Sequence, residues 1–435
     1  LLVGGVTGVV VGLFRHLNTM ITHWIVRSVG THGLSDGLVG CAVFFGLLLL
    51  AVLSVLLLRV EPLISGSGIP QVELMVRGKL RMNWFRVLVC KFAGALTALT
   101  GGLSVGREGP CIMMGASLGV GVGRLWHDPK AAHEPRFLVG GSAAGLGAAF
   151  GAPLAGMCFA FEEMKTPLQA PMVITCAITA FTAMIVMQTV YGFGLVLPFG
   201  ARPMLSWEDW WLVPVVGVAM GALGALYNTL LIRLTLWADT TKMLPLHLRV
   251  VIPFMCAGLF LYFYPTVLAG FGITALQLAD MALPLTALLL LLAVKMVFSC
   301  ASFASGVAGG LLMPILAMGA MAGACVTSAL LLFDVVTPEK SVIILLMCMA
   351  GLFGSSVRAP LTGAFLMLEM TGAYSNMAFI IITAYIAAAV ADKIGCEPVY
   401  DSLRRRCIVE GKIKRPRLKP RRPQRAVGGA FGGAM

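Results

Sequence analysis

Runs with no charged residue recur along the chain, at residues 37–58, 171–191, 210–232 and 376–391. A bilayer core of about 30 Å takes roughly 20 apolar residues per helical crossing, so these runs predict membrane-crossing helices. Shorter apolar runs, broken by glycine or proline, lie at 92–105, 137–161, 250–264, 283–294, 301–332 and 341–353. Together they predict ten or more helical segments, some of which do not cross fully.

Composition strengthens that picture. The 435 residues are 59% hydrophobic and 12% charged, against about 25% charged in an ordinary soluble domain. The net charge of +13 lies mostly in the tail, where residues 404–425 hold eleven Lys/Arg and one acid, Glu410. The positive-inside rule predicts a cytoplasmic tail that meets anionic membrane lipid. Nucleic acid is not expected as a partner, because the basic run follows directly on membrane segments and lacks interleaved aromatics. The eleven cysteines are scattered singly with no C-x-x-C pair, and the six histidines show no H-E-x-x-H spacing, His127 and His133 falling in a polar loop. Neither a metal site nor a cofactor is predicted. The chain opens on apolar Leu1 with no signal-peptide pattern, so any native leader or short N-terminus is expected to lie outside it.

Two passages recur. Residues 144–156 (AGLGAAFGAPLAG) and 350–363 (AGLFGSSVRAPLTG) place Pro153 and Pro360 207 positions apart, and each leads into an apolar run ending in acid and Met, Glu162-Glu163-Met164 and Glu369-Met370. Residues 110–116 and 314–320 match at an offset of 204. Two matches at nearly one offset predict internal duplication, the arrangement of transporters with a midplane site between two repeats. The expected organisation is one membrane domain over 1–403, with repeats at roughly 30–195 and 210–403, then a basic tail over 404–435. Gly115, Gly119 and Gly123 recur every fourth residue, which predicts close helix packing.

The candidate chemistry sits where glycine and proline interrupt the apolar runs. Gly66-Ser67-Gly68-Ile69-Pro70 and Gly106-Arg107-Glu108-Gly109-Pro110 each suit the end of an irregular segment and the start of a helix. A helix N-terminus offers free N–H donors and about half a positive charge, enough for several to hold an anion together. Ser67 could add a neutral donor or serve as a plain cap. Glu108 is an expensive charge in apolar surroundings and marks a functional site, with a structural ion pair to Arg107 as the alternative. Aligning Pro110 with Pro314 sets Leu312 opposite Glu108 and Leu311 opposite Arg107, so the repeat does not need this acid to fold. Glu162 aligns with Glu369, and both read as structural. Glu163 aligns with Met370 and reads either as a buried proton-relay carboxylate or as a solvated helix end.

These motifs resemble the CLC family of chloride channels and proton-coupled chloride transporters over nearly the whole chain. The resemblance rests on GSGIP at 66–70, GREGP at 106–110, the block Gly310-Leu311-Leu312-Met313-Pro314 and a tyrosine near the C-terminal end, Tyr400, in that order. It implies an all-α membrane protein with two inverted repeats of tilted and partial helices, acting as a homodimer with one pathway per subunit. Ser67, the Tyr400 hydroxyl and the backbone amides of Leu311 and Leu312 would contact chloride. Glu108 would gate the pathway and Glu163 would pass protons internally, so that the chain would exchange chloride for protons. Passive chloride conduction through the same fold is the alternative. Ser67 resembles the chloride-preferring form. Leu312 departs from the family's phenylalanine, which implies a wider pathway or looser coupling there. The tail is too short for the regulatory domains of many eukaryotic members, and the compact form suggests a bacterial inner membrane.

An enzyme is not expected. G-x-S-x-G occurs around Ser104 and Ser117, but the strand-turn-helix setting that the motif needs is missing.

Overall fold

The computed structural model describes residues 1–32, 37–125, 135–197, 199, 204–241, 245–263 and 283–409. Residues 410–435, which carry most of the predicted basic tail, lie outside the described residues, as do His127 and His133. The described chain is all-α, with sixteen α-helices, short 3-10 turns and no named strand. Seven of its helical segments are long and apolar enough to cross a membrane.

The first half holds α1 (Leu2–His32), α2 (Gly37–Val60), the short α3 (Ile69–Val76), α4 (Trp84–Thr100), α5 (Glu108–Leu125), α6 (Pro135–Phe150), α7 (Pro153–Glu162) and α8 (Ala170–Tyr191). The second holds α9 (Leu212–Thr240), α10 (Leu246–Phe263), α11 (Leu285–Ala304), α12 (Leu312–Leu332), α13 (Ser341–Val357), α14 (Pro360–Thr371) and α15 (Met377–Lys393), and α16 (Val399–Val409) follows. Packing repeats with the sequence. In the first half α6 packs on α1, α5, α7 and α8, and in the second α13 packs on their counterparts α9, α12, α14 and α15.

Small residues allow these close approaches. A Cβ at Gly115 would strike the Gly141 carbonyl, and one at Gly119 the Phe137 carbonyl, so α5 and α6 meet backbone to backbone. Gly319 and Gly323, 204 residues on, lie close against the Met349 and Leu345 backbone of α13, where a Cβ would come within 2.6 and 2.7 Å of the Cα atoms.

The halves join through counterparts. α2 packs on α10, α5 on α12 and α7 on α14, as a local two-fold axis requires. The α7–α14 pair shows why each half needs the other. Both helices start at a proline, Pro153 and Pro360, after an alanine that cannot cap them. The free amides are served across the pair. Leu154 and Ala155 donate to the Glu369 carboxylate at 3.0 and 2.9 Å, while Leu361 and Thr362 donate to Glu162 at 3.0 and 2.7 Å. Each helix thus carries in its last turn the acid that caps the start of the other, which makes them antiparallel and gives both acids the structural place read from their alignment.

Candidate functional site

Three loops meet at the junction of the halves. Residues 65–68 lead into α3, residues 101–107 into α5 and residues 305–311 into α12. Gly106 and Gly310 exchange both backbone hydrogen bonds at 2.7 Å. They are 204 residues apart and counterparts in the repeat, so the local two-fold axis passes between them. α5 and α12 begin just beyond, and the partial positive ends of both helices converge there. The Gly66 amide donates to the Val307 carbonyl at 3.0 Å, and the Gly309 amide to the Gly66 carbonyl at 3.1 Å, which adds the first loop.

Glu108 is the first residue of α5 and is fully buried. Its Oε1 accepts from the Leu312 amide at 2.6 Å, and the Met313 amide and its own also bear on the carboxylate. Oε2 is buried without a hydrogen-bond partner. A Cβ at Gly106 or Gly310 would overlap this carboxylate, which explains why both motifs place glycine there. No ion pair joins Arg107 to Glu108. The Arg107 guanidinium instead lies over the Phe150 ring, 5.6 Å from its centroid.

Ser67 and Tyr400 come from opposite ends of the chain. Gly66 and Gly68 adopt left-handed backbone, φ +65° and +92°, which turns Ser67 inward before Ile69 and Pro70 open α3. α16 packs on α3 and sets the Tyr400 hydroxyl beside that of Ser67. Both hydroxyls are buried and neither meets the geometry of a hydrogen bond to protein. Gly109 lies against Ser67, because a Cβ on it would come 2.5 Å from the hydroxyl oxygen. Leu311, buried at the N-cap of α12, and Leu312 complete the surround, with Pro110 and Pro314 in the first turns of α5 and α12.

Glu163 follows directly on α7 and is only 5% exposed, which removes the reading of it as a solvated helix end. The charges that bear on it are those of Glu73, Asp401, Lys165 and Arg404, and Tyr400 lies within the electrostatic reach of both Glu108 and Glu163. Ion pairs link these groups in a line. Lys165 meets Asp401 at 2.7 Å, Asp401 meets Arg404 at 2.9 Å, Arg404 meets Glu73, and Glu73 meets Arg77 at 2.6 Å. This line ties α16 to α3, and so Tyr400 to Ser67.

Sequence reasoning missed Lys91. Fully buried in α4, its ammonium donates to the Ile64 and Gly66 carbonyls at 2.7 and 2.6 Å and braces the Ser67 loop. The signal was present, since Lys91 interrupts an apolar run and Lys295, 204 residues on, is also buried in α11. A cavity of about 130 Å³ reaches Ser67 and is lined farther out by Thr235, Leu403 and a charged group, Asp239, Arg249 and Arg406.

This arrangement can hold a small anion between converging amides and neutral hydroxyls, beside a carboxylate able to take its place. Known proteins agree with the architecture. The family described as voltage gated chloride channel matches residues 45–392. Proteins named H(+)/Cl(-) exchange transporter ClcA are similar in sequence. That of Cronobacter sakazakii is 31% identical over 95% of this chain and 91% of its own, and that of Vibrio cholerae (strain ATCC 39541) is 33% identical over 84% and 79%. Among solved structures, a slow cyanobacterial Cl−/H+ antiporter superposes with a TM-score of 0.87 at 26% identity, covering 94% of this chain and 97% of its own. A eukaryotic CLC transporter shares the fold at a TM-score of 0.75 and 21% identity, over 92% of this chain and 73% of that one. With family, relatives and fold in agreement, this multi-pass membrane chain belongs to the CLC family.

Proposed function

We propose that the protein is a secondary transporter that exchanges chloride for protons, with Glu108 as gate and Glu163 as internal proton-transfer site. One observation carries the reading: the Glu108 carboxylate rests on the Leu312 amide at 2.6 Å. A helix N-terminus is an anion site, and here it holds an anion tethered to the chain. Protonation would weaken that hold and let chloride take the amides, so one side chain would answer to both ions. Ser67, Tyr400 and the Leu311 and Leu312 amides would bind the chloride. Partial charges suit a carrier, which must also release its ion. Glu163 would hand protons toward Glu108 past Tyr400, which lies within the electrostatic reach of both acids.

The proposal extends to two copies per molecule, each with its own pathway, in a bacterial inner membrane with the basic tail on the cytoplasmic side against lipid. The exchange activity named for the relatives supports the choice of ions. The test is paired recording of chloride and proton flux in proteoliposomes given a chloride gradient and no pH gradient. Wild-type protein is expected to drive protons against the chloride movement, and Glu163→Gln to abolish proton flux while chloride still moves. Chloride flux in the wild type without opposed proton flux would refute exchange and leave passive conduction, the reading that Leu312 in place of the family's phenylalanine favours.

A further inference from the structure

The cavity that reaches Ser67 ends outward in a group the exchange reading does not use. Asp239, near the end of α9, sits between two guanidiniums. It pairs with Arg249 of α10 at 2.7 Å and with Arg406 of α16. All three side chains are largely buried, at 12, 17 and 14% exposure. Arg249 also donates at 2.7 Å to the carbonyl of Ala304, the last residue of α11. It is therefore held in place by a helix end that welcomes positive charge. The cavity is lined by Ser67 and by two arginines against one aspartate, an excess of positive charge that favours an anion.

We infer that Arg249 and Arg406 form an outer binding site for a small monovalent anion at the tail-side mouth of the pathway, with Asp239 as a built-in competitor for it. The inference rests on the proposed transport of chloride. Two guanidiniums alone would hold a halide tightly and slow its passage. One carboxylate set between them lowers that affinity, so the anion is drawn in and passed on. The logic is that of Glu108 on the Leu312 amide, repeated where the donors are side chains. The alternative is a plain bridge that clamps α9, α10 and α16 together.

Variants of opposite charge separate the two. Asp239→Asn removes the competitor and keeps both arginines, whereas Arg406→Gln removes a donor and keeps Asp239. Chloride binding to purified protein by isothermal titration is expected to tighten roughly severalfold in the first and to weaken roughly severalfold in the second, the scale of one charge at a partly exposed site. The proton-to-chloride ratio in proteoliposomes is expected to stay at the wild-type value in both, since neither touches Glu108 or Glu163. A plain bridge is lost in both variants, so shifts in the same direction, or unaltered binding by monodisperse protein, overturn the inference. If one variant fails to fold, the direction of the other decides. Wild-type protein that moves no chloride brings down the transport reading instead, a result read from a different sample.

Discussion

Glu108 is the residue at which cost and use meet. An ionised carboxylate buried without partners is destabilising by several kcal/mol even after the protein relaxes around it, and here the Leu312 amide and two flanking glycines make its place. Glu108→Gln keeps the shape and an acceptor oxygen but can neither ionise nor carry a proton. Paired flux recording is expected to show proton movement lost while chloride flux remains, and unaltered coupling would separate this side chain from the proton path. Leu312 contributes its amide, which any residue but proline supplies. Its side chain is fully buried beside the site, where a leucine fills less space than the phenylalanine that the resemblance leads one to expect.

Among the elements, α7 and α14 show what holds the halves together. Prolines set their starts, alanines leave those starts uncapped, and each helix receives its cap from the last acid of the other. Loss of a capping carboxylate costs about 1–2 kcal/mol, more when the freed amides are buried. Glu369→Ala is therefore expected to lower the melting temperature in detergent by several degrees, and Glu369→Gln, which keeps one acceptor, by less. Equal melting of the alanine variant and the wild type would show that water serves those amides as well. The duplication read from 144–156 and 350–363 brought the two acids into alignment. That alignment marked them as structural without revealing that each works on the opposite half.

At the scale of the whole molecule, counterpart meets counterpart along one axis, at Gly106 and Gly310, at α2 and α10, and at α7 and α14. We read residues 1–403 as one domain on this account, since neither half completes its own helix starts or its own site. Split after Phe199 and co-expressed, the two pieces are expected to co-purify through a tag on one of them, and each piece alone to be degraded. A half that is stable and monodisperse by itself would contradict this reading.

The sequence by itself determined the membrane setting, the helical class, the duplication and the motifs at 66–70 and 106–110. All of these rest on local composition, on spacing along the chain or on comparison of the chain with itself. Tertiary structure alone decided that the Glu108 carboxylate lies on the Leu312 amide, that Arg107 turns to Phe150, that Lys91 braces the Ser67 loop, and that Asp239 sits between Arg249 and Arg406. Most of these contacts join residues brought together from distant parts of the chain. Helical periodicity and glycine spacing tell which faces are apolar and where a helix starts, but not which distant group comes to rest beside it.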